Sequence, residues 1–213
     1  MRQSTPLFQH VSKTLEERRS FIQRKFQSIY RDISPQKLYQ PVPQSFDLFE
    51  SILTLHRQHD LPSTFSIIKN SLKPQAVFMG ALFGSQTLQE LKAVFTYVEE
   101  KRLGYVTPHF LPLPSPQDIA GILQYQGFIS PVVDREMIVQ EYGGLQDLYK
   151  DLRQMGERNC LKDRFKGLTT PRFMEDCETL YREKFSTSQG KIFATFEILY
   201  FIAWQDKVES DPR

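Results

Sequence analysis

The chain has 213 residues, 40% of them apolar, which is enough to bury one sizeable core, so a single domain over 1–213 is expected. Its 27 basic and 25 acidic side chains leave a formal charge of +2, which gives no general electrostatic ground for a nucleic-acid partner. The first residues carry no apolar signal-peptide core, and no apolar run approaches the ~18–20 residues of a spanning helix, so the expectation is a cytoplasmic protein with no membrane span.

Residues 6–30 set Leu7, Val11, Leu15, Ile22, Phe26 and Ile29 at spacings of mostly three, four or seven, with Glu16, Glu17, Arg18 and Arg24 between them. That pattern predicts an amphipathic helix within 1–33. The basic cluster of Arg18, Arg19, Arg24 and Lys25 reads as its solvated face. Residues 34–45, SPQKLYQPVPQS, contain three prolines and read as a link. Phe46–Leu55 is an apolar run bounded by Pro43 and the polar stretch 57–60, and it predicts a buried strand. A helix follows, with Asp60 as N-cap, Pro62 in the first turn, and Leu61, Phe65, Ile68 and Leu72 at helical spacing. Lys73 and Pro74 end it, and Ala76–Leu82 is short enough for a second strand, closed by Gly80 and Gly84.

Strand, helix and strand with little spare length make a βαβ unit, which implies an α/β layer fold. Such sheets bind ligands at the carboxyl ends of their strands, here Leu55–His59 and Leu82–Ser85.

Further along, Thr87 and Glu90 predict a capping box, with Leu88, Leu91, Phe95 and Val98 on the inner stripe of a helix to about Lys101. Residues 104–116 read as a proline-rich loop. Ser115 to Asp118 starts the next helix, with Ile119, Ile122 and Leu123 inward and Gly127 as its stop. Gly143–Gly144 opens a helix lined by Leu145, Leu148, Leu152 and Met155. Thr170–Pro171 opens another, with Phe173, Cys177, Leu180 and Phe185 inward. The run KIFATFEILYFIAWQ suits a strand buried on both faces.

Cys160 and Cys177, with 16 residues between them and in no Cys-x-x-Cys pattern, read as reduced thiols. His56 and His59 have only Asp60 beside them, too few ligands for a metal site. No nucleophile–base pair, phosphate loop or paired carboxylate stands out, so no catalytic residue is assigned.

SFDLFESILTLH, DLPSTFSIIKNSLKP and AVFMGALFGSQTLQELK together resemble the fourth strand, following helix and fifth strand of class I S-adenosylmethionine-dependent methyltransferases. The subgroup resembled contains the malonyl-carrier-protein methyltransferase of biotin synthesis and the mitochondrial complex I assembly factor 5. LFQHVSKTLEERRSFIQRKF is similar to the subgroup's leading helix, HFLPLPSPQDIAGILQYQGF to its step into a sixth strand at Val132–Tyr142, and the run ending at Trp204 to its seventh.

The resemblance implies a truncated Rossmann-like sheet: strands four to seven with flanking helices over 46–213, plus the N-terminal helix. Residues 34–45 replace the first three strands, which with their crossovers would need about 60 residues. The first glycine is Gly80 and no G-x-G occurs, so the turn that brings backbone against the cofactor is missing. The resemblance implies S-adenosylmethionine as the cofactor, if any is bound, and the strand-end position of Leu55 and His56 makes them its candidate contacts; Asp32 and Asp47 are not assigned to its ribose. It implies Arg153, Glu157, Arg158 and Asn159 as substrate contacts, while Glu157 and Asn159 serve equally as helix-end caps. Arg57 stands where the subgroup has Trp, and Gln75 where a glycine-containing turn follows Lys-Pro.

The expected function is methyltransferase-like with lost or impaired catalysis; the alternative is a non-catalytic interaction or assembly protein that keeps the substrate side. An uncovered apolar parallel strand is a pairing hazard, so a homodimer or protein partner covering Phe46–Leu55 is expected.

Overall fold

The computed structural model describes residues 5–33, 42–157 and 170–206. Within them the chain runs α1 (Pro6–Ser20), β1 (Ile29–Asp32), β2 (Phe46–Ile52), a 3-10 turn (Leu55–Arg57), α2 (Leu61–Ser71), β3 (Leu72–Phe83), α3 (Gln89–Leu103), α4 (Pro116–Tyr125), β4 (Ile129–Tyr142), α5 (Leu145–Met155), α6 (Pro171–Lys184) and β5 (Ile192–Trp204). The strands are ordered β1-β2-β3-β5-β4. β1, β2 and β3 are parallel, and β5 is antiparallel to β3. This is the Rossmann-like α/β arrangement of the class I methyltransferase fold, with its last strand reversed.

The chain divides into two compact units. One holds Leu7–Ser85, Pro114–Glu136 and Ile198–Arg213; the other holds Met1–Pro6, Gln86–Leu113 and Met137–Glu197. In the first, the βαβ unit forms as the pattern predicts. Asp60 caps α2 by accepting from the Ser63 amide at 3.0 Å, and Pro62 lies in the first turn, where its missing donor costs nothing. Phe65, Ile68 and Leu72 then bury against Phe49, Phe78, Phe201 and Ala203, joined by Ile119 and Leu123 of α4. Phe78 meets the rings of Phe49, Phe65, Phe128 and Phe201 with centroids 4.8–5.7 Å apart, mostly edge to face. Each such buried side chain contributes about 2 kcal/mol, so this cluster anchors α2 and α4 on the sheet.

The other side chains of β2 alternate away from that cluster. Glu50 is fully buried, with Arg31 Nε at 2.5 Å and Arg19 Nη1 at 3.5 Å. Arg18, one residue before Arg19 on α1, pairs with Asp134 at 2.6 Å and lies over the Tyr200 ring at 4.5 Å. Of the basic cluster, Arg18 and Arg19 are thus half-buried and help dock α1, whereas Arg24 and Lys25 lie beyond the helix and are exposed.

Several boundaries differ from the sequence pattern. The leading helix stops at Ser20, and Ile29, placed on its inner stripe, belongs to β1 instead. The strand predicted over Phe46–Leu55 ends at Ile52 and bends into the 3-10 turn. It is not an edge, because β1 hydrogen-bonds along it from Ile29↔Leu48 to Asp32↔Ser51. Strands beyond the expected four to seven therefore include this short one before the link.

In the second unit the Thr87–Glu90 capping box does not form: Leu88 is the N-cap and makes no side-chain cap. Glu90 is buried and accepts from the Thr195 amide at 3.0 Å and its hydroxyl at 2.5 Å, while Thr87 donates to the Glu197 carbonyl at 3.1 Å. A buried carboxylate gains more from two tertiary donors than from one exposed helix end. The stripe of α5 is as predicted, with Leu145, Leu148, Leu152 and Met155 buried. That of α6 turns on Cys177 and Tyr181 rather than Leu180, and burial pushes the Cys177 thiol up to about 12, which keeps it protonated. Cys160 lies outside the described residues. Among the described residues, no helix is long and apolar enough to cross a membrane.

Candidate functional site

Parallel pairing brings the carboxyl ends of β1, β2 and β3 to one edge of the first unit, where Asp32, Ile52 and Phe83 are the last residues of their strands. β2 does not run straight out of the sheet. Leu53 takes a left-handed conformation at φ 54°, its amide still donating to the Ala81 carbonyl at 2.8 Å. That reversal turns Thr54 back toward the strand ends.

Thr54 Oγ1 donates to the Asp32 carboxylate and lies 2.7 Å from Ser51 Oγ. The single Thr54 proton is committed to Asp32, so Ser51 is the donor in the second bond. Asp32, Ser51 and Thr54 are all 3% exposed or less. The edge thus holds a carboxylate and two hydroxyls bonded to one another.

Leu55 and His56, the two cofactor candidates, come next, in the 3-10 turn. Leu55 is fully buried and belongs to the aromatic cluster. His56 is 5% exposed, with its ring edge-on to Phe83 at 4.9 Å. The structure therefore brings His56 together with the end of β3, as βαβ topology requires, but as a packed ring under the surface. His59 is exposed, and among the described residues no three His, Cys, Asp or Glu side chains are grouped to hold a metal.

Gly80, the first glycine of the chain, lies inside β3. A Cβ there would meet the Ser51 carbonyl at 2.6 Å and the Phe201 ring at 2.9 Å, so its smallness serves strand packing.

The substrate candidates lie in the second unit. Arg153 is exposed in the last turn of α5, and Glu157 follows the helix, half-buried. Gly156 at φ 80° ends α5, and the Glu157 amide returns to the Leu152 carbonyl at 2.8 Å, a Schellman ending made by the Glu157 backbone. Arg158 and Asn159 lie outside the described residues. A hollow of about 690 Å³ in this unit is at the opposite end of α5, lined by Gly143, Gly144, Asp147, Met174, Glu178 and Arg182 among others. Arg182 there donates to the Gly143 carbonyl at 2.6 Å and Glu178 accepts from the Leu145 amide at 2.8 Å, so its charges hold the helix start.

Sequence reasoning missed Asp32 and Thr54 as partners. The signal was present in Ile29-Tyr30-Arg31-Asp32, a β-branched and aromatic pair ending in an acid, but the same residues also fit the helical period of the segment before them.

No family model matches the chain. Over 166 residues it is 39% identical to a rat protein named mitochondrial arginine-hydroxylase NDUFAF5, which covers 78% of this chain and 48% of that protein. Over 169 residues it is 30% identical to a malonyl-[acyl-carrier protein] O-methyltransferase of Xylella fastidiosa, covering 79% of this chain and 55% of the other. The chain spans about half the length of the curated relatives it matches. Among solved structures, the YcgJ protein of Bacillus subtilis aligns with a TM-score of 0.50 at 12% identity, over 96% of this chain and 80% of that one, a likeness of fold.

Proposed function

From the premise that the chain belongs to the methyltransferase-like family holding both groups of relatives, we propose that it does not by itself transfer a methyl group. The observation that carries this is the closed edge of the parallel strands. S-adenosylmethionine is the cofactor the family implies, and a nucleoside cofactor in a doubly wound sheet lies at the strand ends against a glycine turn, where backbone approaches it without a β-carbon in the way. Here no glycine precedes Gly80, the acid at the end of β1 is bonded to Thr54, and Leu55 and His56 are packed inward. The described residues at the strand ends do not fit the group.

Methyl transfer relies on holding donor and acceptor in line, so a chain that cannot seat the donor has no other route to the reaction. Calorimetric titration of the purified chain with S-adenosylmethionine and S-adenosylhomocysteine tests the reading. No heat at millimolar ligand is expected; saturable binding at micromolar ligand would overturn it.

A second reading is favoured by the name of the 39% identical relative, which is a hydroxylase of arginine rather than a methyltransferase. One scaffold serving two chemistries leaves room for a third use, binding without turnover. In that reading the surface around Arg153 and Glu157 meets a protein partner, and the partner or a second copy covers the sheet edge, which β1 now forms. Sedimentation across a hundredfold range of concentration separates self-association from a hetero-partner. A cytoplasmic location is proposed beside a mitochondrial one carried by the relatives' names, and subcellular fractionation distinguishes the two.

A further inference from the structure

β4 ends the sheet on the side opposite β1. It is hydrogen-bonded to β5 along one edge, and among the described residues no strand lies beyond it. From Arg135 to Tyr142 its side chains alternate between exposed and half-buried. The half-buried set is engaged within the chain: Glu136 meets the Tyr200 hydroxyl and the His10 ring at 2.9 Å each, and Tyr142 donates to Asp151 at 2.7 Å. The exposed set is Arg135, Met137, Val139 and Glu141, with Met137 42% and Val139 59% exposed. Two apolar side chains are thus bracketed by opposite charges on one face of an edge strand. Glu141 lies 3.4 Å from Lys191, but both side chains are about half exposed, so solvent screens that pair and leaves the carboxylate able to take a second partner.

We propose that a second copy of this chain pairs on β4, antiparallel about a twofold axis at Ile138, so that two sheets join edge to edge. Residues directly opposite in an antiparallel pair share a face, so a twofold axis falls on a residue, and the register is chosen by what then meets. With the axis at Ile138, Arg135 faces the partner's Glu141 and Met137 faces the partner's Val139, each contact occurring twice. An axis at Met137 would set Arg135 against Val139 and Glu141 against Val133. An axis at Val139 would set Met137 against Glu141 and Arg135 against Gly143. Of these three, the Ile138 register alone matches charge with charge and apolar with apolar, the pairings that stabilise neighbouring strands. The ladder it makes runs over residues 134–142 and stops short of Pro131, which has no amide to donate, and of Ser130 at φ 48°. The backbone groups along the outer edge of β4 supply the hydrogen bonds. The proposal depends neither on whether a cofactor binds nor on what covers β1.

Sedimentation equilibrium of the whole chain from about 1 to 300 µM tests it, a range that brackets a weak dimer. The wild type should pass from monomer to dimer within that range. Arg135→Glu and Glu141→Arg each set like charges opposite one another on both flanks, and each should raise the dimer Kd at least tenfold. Mixed in equal amounts, the two variants should dimerise within threefold of the wild type, because every like pair is then replaced by an opposite one. Damage to the fold by either substitution would survive mixing, so the recovery reads the register itself. A wild type that stays monomeric, variants that dimerise as the wild type does, or a mixture no tighter than its components would each overturn the proposal. Should a single variant fail to fold, the double variant Arg135→Glu/Glu141→Arg carries the test. It is expected within threefold of the wild-type Kd, and a tenfold weaker dimer there also overturns the proposal.

Discussion

Asp47 shows how one side chain joins a segment with no regular structure to the sheet. Its Oδ2 accepts the amides of Gln27 and Ser28 at 2.9 and 3.0 Å, and Lys73 Nζ lies 3.1 Å from Oδ1. Burial alone would raise its pKa, but the two amides and the ammonium outweigh it and hold the carboxyl below its ordinary 3.8. A depressed folded value means the stabilisation is complete above the unfolded pKa and is lost as pH falls through the folded one. Asp47→Asn should therefore cost roughly 1–3 kcal/mol at pH 7, and the gap to the wild type should shrink steadily from about pH 4 downward. Urea unfolding at pH 7, 5 and 3 measures it; a gap of constant size would show that the charge is not what matters. From the sequence this residue was visible only as part of a strand, because its partners are backbone amides 19 and 20 positions away.

At the level of elements, the chain departs from its own pattern where tertiary partners outbid local preference. Phe26 and Ile29 continue the helical spacing of α1, yet β2 offers the chain a ladder of backbone hydrogen bonds, and the segment leaves the helix to take it. The βαβ unit was legible because its signals agree: Asp60 and Pro62 start α2, one apolar stripe fits one period, and the strands are short apolar runs. The β2–β3 ladder nevertheless slips, pairing Phe46 with Leu72 but Leu48 with Val77, and the extra β3 residues bulge around Pro74 and Gln75. Gln75 is exposed there at φ 62°, with its carbonyl accepting from Arg24 at 2.6 Å. Gln75→Gly removes the left-handed penalty and keeps the carbonyl, so it should stabilise by roughly 0.5–1 kcal/mol, or about 2 °C in Tm. A lower Tm would mean that the Gln75 side chain contributes more than its backbone loses.

For the whole molecule, the fold class and the strands from β2 onward could be read from the chain, whereas β1 and the state of the strand-end edge could not. Asp32 and Thr54 are 22 positions apart, and only the pairing of β1 on β2 brings them together. Arg153 and Glu157 were named from a resemblance, and they bracket the end of a helix that the sequence located correctly. Ligand linkage gives a global readout of the proposed function: a ligand at a hundred times its Kd stabilises a folded protein by about 2.7 kcal/mol. Differential scanning fluorimetry with 1 mM S-adenosylhomocysteine should leave Tm unchanged, and an upward shift of several degrees would show a seated cofactor.

β3 bonds on one side to β2, which precedes it closely, and on the other to β5, whose residues pair Val77 with Trp204 and Phe83 with Ile198. On a ribosome adding ~5–20 residues per second, that second side waits on the order of ten seconds for its mate. During that interval an apolar strand, Val77 to Phe83, presents an open row of amides and carbonyls to every other nascent or unfolded chain nearby. The yield of native protein should thus depend on translation speed and on holdase chaperones that mask this row, more than on the stability of the finished molecule.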